Sequence, residues 1–233
     1  MFLKLFISSL LILAFALQSE AEPRVQSHTH SVLDTNGNEL QAGHPYYIVS
    51  AYREGRGGGV SFDRGQSSRT AMVKQLSSDK NFGAPVILFP VSKSQEKVDR
   101  ERVLRETSRN PSPARERIIR ESTDLNIRFS DMPVVWQVED SRQSPSSPSQ
   151  NRHVILEGQP GHPGPSTVRN WFRIERMSKS SPEYRVAYCP SVCDSCQVEC
   201  GNIGVTMESG NRWLSVSQHR EFPFVFVKAN RRW

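Results

Sequence analysis

The most concentrated chemistry in the chain is a group of four cysteines, Cys189, Cys193, Cys196 and Cys200. An even number of thiols in a chain bound for an oxidising compartment favours disulfides. Four thiols allow three pairings, and spacing alone leaves all three open. Four thiolates also make a zinc set, but a secretory route and so short a span argue against it. Cys193-Asp194-Ser195-Cys196 has redox spacing, yet nothing around it reads as the helix and βαβ unit that activate such a pair. The six histidines, His28, His30, His44, His153, His162 and His219, are scattered. His28 and His30 lie near the expected mature N-terminus, a position that fits chain-end disorder better than a metal site. There is no Gly-x-Ser-x-Gly elbow, no His-Glu-x-x-His and no phosphate-binding glycine loop. The expectation is a protein with no metal, no cofactor and no catalytic residues, one that acts by binding.

The N-terminus sets the compartment. Lys4 precedes a run from Leu5 to Leu17 broken only by Ser8 and Ser9, and Ser19-Glu20-Ala21 has small residues where a signal peptidase reads. Residues 1–21 are therefore expected to be a signal peptide. The run is shorter than the roughly 20 residues that span a bilayer, so no membrane association is expected after cleavage. The protein is expected to be secreted, either outside the cell or to the vacuole. The formal net charge is +6, but basic and acidic residues are interleaved, which reads as solvated surface rather than a nucleic-acid footprint. Asn110 is followed by Pro111, so no glycosylation sequon arises there.

The elements that must position any site read as short strands. Tyr46–Val49, Val86–Phe89, Leu125–Phe129, Val134–Val138, Val154–Leu156, Trp171–Ile174, Tyr184–Tyr188, Trp213–Val216 and Phe222–Val227 are apolar or alternating runs. Asn36-Gly37, Gly57-Gly58-Gly59, Gly158, Gly161, Gly164 and Gly210-Asn211 punctuate them. Many short strands divided by turns indicate an all-β sandwich or barrel, here a single domain over residues 22–233. Two stretches read as excursions. Ser141–Gln150 is rich in Ser and Pro, the composition of a surface loop. Residues 92–123 are highly charged and contain a near-repeat: Arg100-Glu101-Arg102-Val103-Leu104-Arg105-Glu106, then Arg115-Glu116-Arg117-Ile118-Ile119-Arg120-Glu121. Each copy is long enough for one or two helical turns, and Pro111 and Pro113 prevent a continuous helix. The stretch is expected to be an inserted charged loop.

Several of these segments carry a family likeness in order along the chain. Val32-Leu33-Asp34-Thr35-Asn36-Gly37-Asn38-Glu39-Leu40 with Tyr46–Val49, then Trp171-Phe172-Arg173-Ile174-Glu175, resemble the plant Kunitz-type (soybean trypsin inhibitor-like) family. Tyr188-Cys189-Pro190-Ser191-Val192-Cys193-Asp194-Ser195-Cys196, with Cys200-Gly201-Asn202-Ile203-Gly204, is similar to its miraculin-like branch. The resemblance implies a β-trefoil, a six-stranded barrel capped by three hairpins. It also implies nested disulfides, Cys189–Cys200 outside Cys193–Cys196, and a monomer as the default state.

The resemblance further implies an inhibitor that offers a preordered loop to a secreted or digestive serine protease of trypsin type. The ordering cost of such a loop is met before binding. Ser112-Pro113-Ala114-Arg115-Glu116 is similar to the reactive loop, with Arg115 as the P1 residue and Arg100, its counterpart in the first copy, as runner-up. A basic P1 pairs with a carboxylate at the bottom of a trypsin-like pocket. Three departures bear on this. A family disulfide is missing, its expected positions falling near Arg69 and in Met132–Val135. Ala42 stands where the family has a loop-bracing Asn. The loop itself is longer by about fifteen residues, which raises the cost of closing it only slightly. The alternative is a non-inhibitory miraculin-like defence, storage or binding protein, or an inhibitor of a cysteine protease through another loop.

Overall fold

A computed structural model describes residues 29–52, 55–64, 70–91, 118–140, 151–160 and 162–229. The expected signal peptide, His28, Arg69, Arg100, the segment Ser112–Glu116 and the loop Ser141–Gln150 lie outside the described residues. Twelve strands carry the fold: β1 Pro45–Ser50, β2 Val60–Arg64, β3 Ala71–Gln75, β4 Val86–Pro90, β5 Leu125–Phe129 and β6 Val135–Val138. β7 Arg152–Gly158, β8 Arg173–Arg176, β9 Tyr184–Tyr188, β10 Gly201–Glu208, β11 Asn211–Ser217 and β12 Phe224–Lys228 complete them. The helix among the described residues is one 3-10 segment, Pro165–Asn170. The protein is all-β, as its run pattern indicates.

Every strand pairing is antiparallel, and hairpins β2–β3, β6–β7 and β10–β11 recur at regular intervals along the chain. Their second strands also meet one another: Met72 pairs with Ile155, Ser215 with His153 and Trp213 with Lys74. The other six strands pair β1–β12, β12–β9, β9–β8, β1–β4 and β4–β5. Phe172, just ahead of β8, exchanges two backbone hydrogen bonds with Leu125 at 2.8 and 2.9 Å.

Alternation decides what faces inward. In β12, Phe224 and Phe226 are fully buried while Val225 and Val227 are half-buried. The core is an aromatic chain running from Phe62 to Phe129, Trp136, Phe172 and Tyr188, with ring centroids 4.8–6.2 Å apart. A second cluster joins Tyr46, Tyr184 and Phe224 through Phe226. Fully burying a side chain of the Phe type contributes about 1.5–3 kcal/mol. Met132 and Val134, in the stretch expected to hold one cysteine of the missing disulfide, pack against the core.

The glycine run has a steric cause. A Cβ on Gly59 would lie 1.9 Å from the carbonyl oxygen of Phe82. Gly58 and Gly59 let the chain entering β2 press against the Ser78–Phe82 backbone, which no side chain permits.

One expectation changes here. Residues 118–123, assigned above to the inserted loop, belong to the scaffold. Ile118 and Arg120 form extended bridges with Gln41 and Ser31, and Ile119 is fully buried. This end of the second repeat copy is strand-like, not a helical turn, because Ile119 gains more from the core than a one-turn helix gains from its backbone bonds.

Candidate functional site

The long segment between Val91 and Ile118 emerges from the scaffold at two stems, and both are tied. At the entry, Val91 N donates to Asp124 O at 2.8 Å. At the exit, the chain pairs with both arms of the N-terminal segment, which are also bonded to each other. Val32 N donates to Ile119 O, Ile119 N to Leu40 O and Leu40 N to Val32 O, each at 2.9 Å. Glu121 N then donates to His30 O at 2.8 Å, and Arg120 Nη1 reaches Thr29 O at 3.0 Å.

The sequence explains why the two arms are so placed. Asp34 Oδ1 accepts the backbone amides of Asn36 and Asn38, both at 2.9 Å, closing an Asx turn. Gly37 occupies the left-handed region with φ 79°, at no steric cost. The turn brings Val32 and Leu40 side by side, both fully buried, and Ile119 bonds to the backbone of each. The Val32–Leu40 motif is thus the receptor for the loop's exit stem.

Asp124 joins the stems to the disulfide region. Its buried carboxylate accepts Arg173 Nε at 3.0 Å and the Ser191 amide at 3.1 Å, and the Ser191 hydroxyl as well. Ser191 lies inside the loop that Cys189–Cys200 closes, with Cys193–Cys196 nested within it. Among the described residues no cysteine is free and no cluster of ligands is arranged for a metal ion.

Glu121 and its neighbours form a second junction. Arg176 Nε donates to Glu121 Oε1 at 2.9 Å, Nη1 to Ser181 O at 3.0 Å and Nη2 to the Tyr184 hydroxyl at 2.7 Å. The same hydroxyl accepts the Leu33 amide at 2.9 Å. Burial pushes the Tyr184 hydroxyl's pKa up, the Leu33 bond and the Arg176 charge only partly opposing it. Ser122 follows with φ 55°, rare for a residue with a side chain, and its amide donates to Ile174 O at 2.9 Å.

Ala42 packs against the core beside this stem with only a methyl group to offer. The buried His153 lies elsewhere, at the base of the segment 141–150. Its Nδ1 is 3.3 Å from Glu139 Oε2 and its Nε2 3.2 Å from Glu208 Oε2, the second contact too poorly aligned to be a hydrogen bond. Burial lowers the imidazole pKa, but the hydrogen bond to Glu139 and the two carboxylate charges outweigh it, so the net shift is upward. The hydrogen bond to His153 holds Glu139 below the usual carboxylate range. Ile119, Glu121, Asp124, Arg176 and His153 were not singled out for these roles from sequence. The adjacent apolar pair Ile118-Ile119 inside a charged run was the one available signal.

An all-β scaffold that fixes both ends of one long segment, and staples the neighbouring loop with disulfides, is the class defined here. The chain belongs to the legume-type Kunitz family: residues 32–228 match the family model described as trypsin and protease inhibitor. It is 34% identical to miraculin of Synsepalum dulcificum, over 96% of this chain and 93% of that protein. It is 31% identical to Kunitz trypsin inhibitor 5 of Arabidopsis thaliana, over 80% of each. It is similar to the solved structure of the Kunitz-type cysteine protease inhibitor PCPI-3 from potato, with a TM-score of 0.65 and 27% identity. That likeness covers 88% of this chain and all of the other.

Proposed function

We propose that the protein is a secreted endopeptidase inhibitor that meets a trypsin-type serine protease through Ser112–Glu116, with Arg115 as the P1 residue and Arg100 next in line. The observation that carries this reading is the double anchoring of the segment's stems, through Asp124 and through Ile119. Slow, reversible inhibition needs a loop whose ends do not move when an enzyme engages it, because the ordering cost must already be met. The family description and the names of two relatives agree with inhibition. No catalytic constellation is needed, and the protein acts by binding, as a monomer, after removal of a signal peptide.

The fold that goes with this reading is a β-trefoil. Its support is the pairing order: β1, β12, β9 and β8 in succession, Phe172 to Leu125, then β5, β4 and β1 again. The three hairpins meet at one end through β3, β7 and β11.

A specific observation favours a second reading. Ala42 offers no hydrogen bond to brace the segment, and the relatives include miraculin and a cysteine protease inhibitor. That supports a cysteine protease as target, or a non-inhibitory binding role. The deciding experiment titrates the mature, oxidised protein against trypsin and against papain, beside Arg115→Ala and Arg100→Ala. Inhibition of trypsin at or below micromolar concentration, lost in Arg115→Ala alone, supports the first reading. Loss in Arg100→Ala alone moves the P1 residue. Inhibition of papain alone, or of neither enzyme by folded protein, replaces the first reading with the second.

A further inference from the structure

We propose that Arg176 of β8 is the positioning residue for residues 118–122, the exit stem of the segment that follows Val91, acting through Glu121 and Tyr184. The proposal rests on the reading of that segment as the protease-binding loop. Arg176 is placed to hold that stem. Its guanidinium joins three pieces of chain that are distant in sequence: Glu121 of the exit stem, the β8–β9 turn at Ser181, and Tyr184 of β9. The guanidinium carbon also lies 4.8 Å from the centroid of the Tyr184 ring, a cation–π contact. Tyr184 passes the constraint on, because its hydroxyl accepts the amide of Leu33, beside the Val32 that bonds to Ile119. The stem is therefore gripped on both sides.

A second, independent observation marks the same point. Ser122, immediately after Glu121, is held with φ 55°. The other serine in this region, Ser209, sits with Gly210 in the two-residue β10–β11 turn, where positive φ is the ordinary solution. Ser122 is in no hairpin. Its conformation persists because the surroundings impose it: the Glu121 carboxylate is fixed by Arg176 on one side, and the Ser122 amide by Ile174 O on the other. The bend turns the chain from the exit stem toward β5, and residue 115 lies three positions in sequence before Ile118, the first described residue of that stem.

Lysine cannot reproduce the fork. Its ammonium is a single point, whereas Arg176 makes bonds from Nε, Nη1 and Nη2 to three different acceptors. The Arg side chain also lies against Tyr184, so a variant that keeps the apolar stem but not the fork separates positioning from packing.

The test compares the mature, oxidised protein with Arg176→Met, Arg176→Lys and Tyr184→Phe. Three quantities are read: the trypsin inhibition constant, the thermal midpoint, and amide hydrogen exchange by NMR. Arg176→Met is expected to speed exchange at Leu33, Glu121 and Ser122 by about tenfold or more, the scale of a lost charge-assisted bond. Exchange in the β10–β11 hairpin is expected to stay unchanged. The inhibition constant rises by about the same factor. Arg176→Lys behaves like Arg176→Met, and Tyr184→Phe speeds exchange at Leu33 but not at Ser122. Unchanged exchange at Glu121 and Ser122 in Arg176→Met overturns the proposal. Faster exchange with an unaltered inhibition constant overturns it too. If the parent does not inhibit trypsin, the inhibitor reading has failed, and the exchange pattern alone decides whether Arg176 holds the stem. If Arg176→Met does not fold, the lysine and phenylalanine variants carry the comparison.

Discussion

Replacing Ile119 by alanine tests whether the exit stem is structural in the way described. Ile119 is fully buried among Val32, Leu40 and the rest of the core. The variant removes three carbons, at about 0.8 kcal/mol each for lost burial, or about 2.4 kcal/mol. A residual cavity adds to that, giving about 3–4 kcal/mol, within the usual span for Ile→Ala. The backbone bonds to Val32 and Leu40 survive, because alanine keeps both the amide and the carbonyl. For a domain of about 200 residues, each kcal/mol moves the thermal midpoint by about 2–4 °C, so a fall of about 6–16 °C is expected. Differential scanning calorimetry of the mature, oxidised protein measures it. Ile118→Ala is the comparison, since Ile118 is only half-buried. Its cost should stay near 1 kcal/mol. A fall below about 2 °C for Ile119→Ala, or equal falls for the two variants, would refute the claim that this stem is part of the core.

Two further outcomes follow. The folded His153 pKa is raised, so its contribution to stability is full below the ordinary value of 6.5 and is lost as pH rises through the folded value. Glu139 is lowered, so its part is present above 4.5 and is lost as pH falls through its folded value. The stability difference between the parent and His153→Gln should therefore be largest between about pH 4.5 and 6.5 and shrink above it, as urea midpoints would record; a difference flat from pH 4 to 9 contradicts the Glu139–His153–Glu208 arrangement. Asp124→Ala leaves Arg173 and the Ser191 amide without their acceptor and should cost about 3 kcal/mol, the low end for a buried pair because Arg173 keeps some contact with water. Urea unfolding gives the figure, and a cost under 1 kcal/mol would mean Asp124 does not tie the disulfide loop to the stems.

Strands whose inner face is covered by the core were the legible ones. Leu125–Phe129 and Tyr184–Tyr188 were read with the bounds they have, because their apolar residues are dense and their ends sharp. β2, β3 and β10 were not read. Val60-Ser61-Phe62-Asp63-Arg64 and Ala71-Met72-Val73-Lys74-Gln75 are too polar to stand out, and Gly201 and Gly204 disguise β10. These strands are made by their hairpin partners, which a linear scan does not see. Ile118–Glu121 was assigned to the wrong kind of structure for a related reason: charge density describes the exposed side of a segment, while one buried isoleucine decides its place. Arg176 acts on a residue 55 positions away, Tyr184 on one 151 positions away, and His153 on residues 14 and 55 positions away. Short-range patterns hold no trace of such partners. Tyr184 was read as a strand residue, but the link from its hydroxyl to Leu33 needed coordinates.

The placement of Ile119 also governs what happens if a protease succeeds in cutting the chain between Val91 and Ile118. The cut yields a leading piece with β1–β4 and a trailing piece with β5–β12. All four cysteines belong to the trailing piece, so no covalent bond joins the two. They are nonetheless interlaced. The trailing piece bonds Ile119 to both Val32 and Leu40 of the leading one, and supplies β12 to β1, β5 to β4, and β7 and β11 to β3. Separation would require dismantling the core, so the two pieces stay together as one folded body. The hydrolysed protein would therefore divide into two chains only on unfolding.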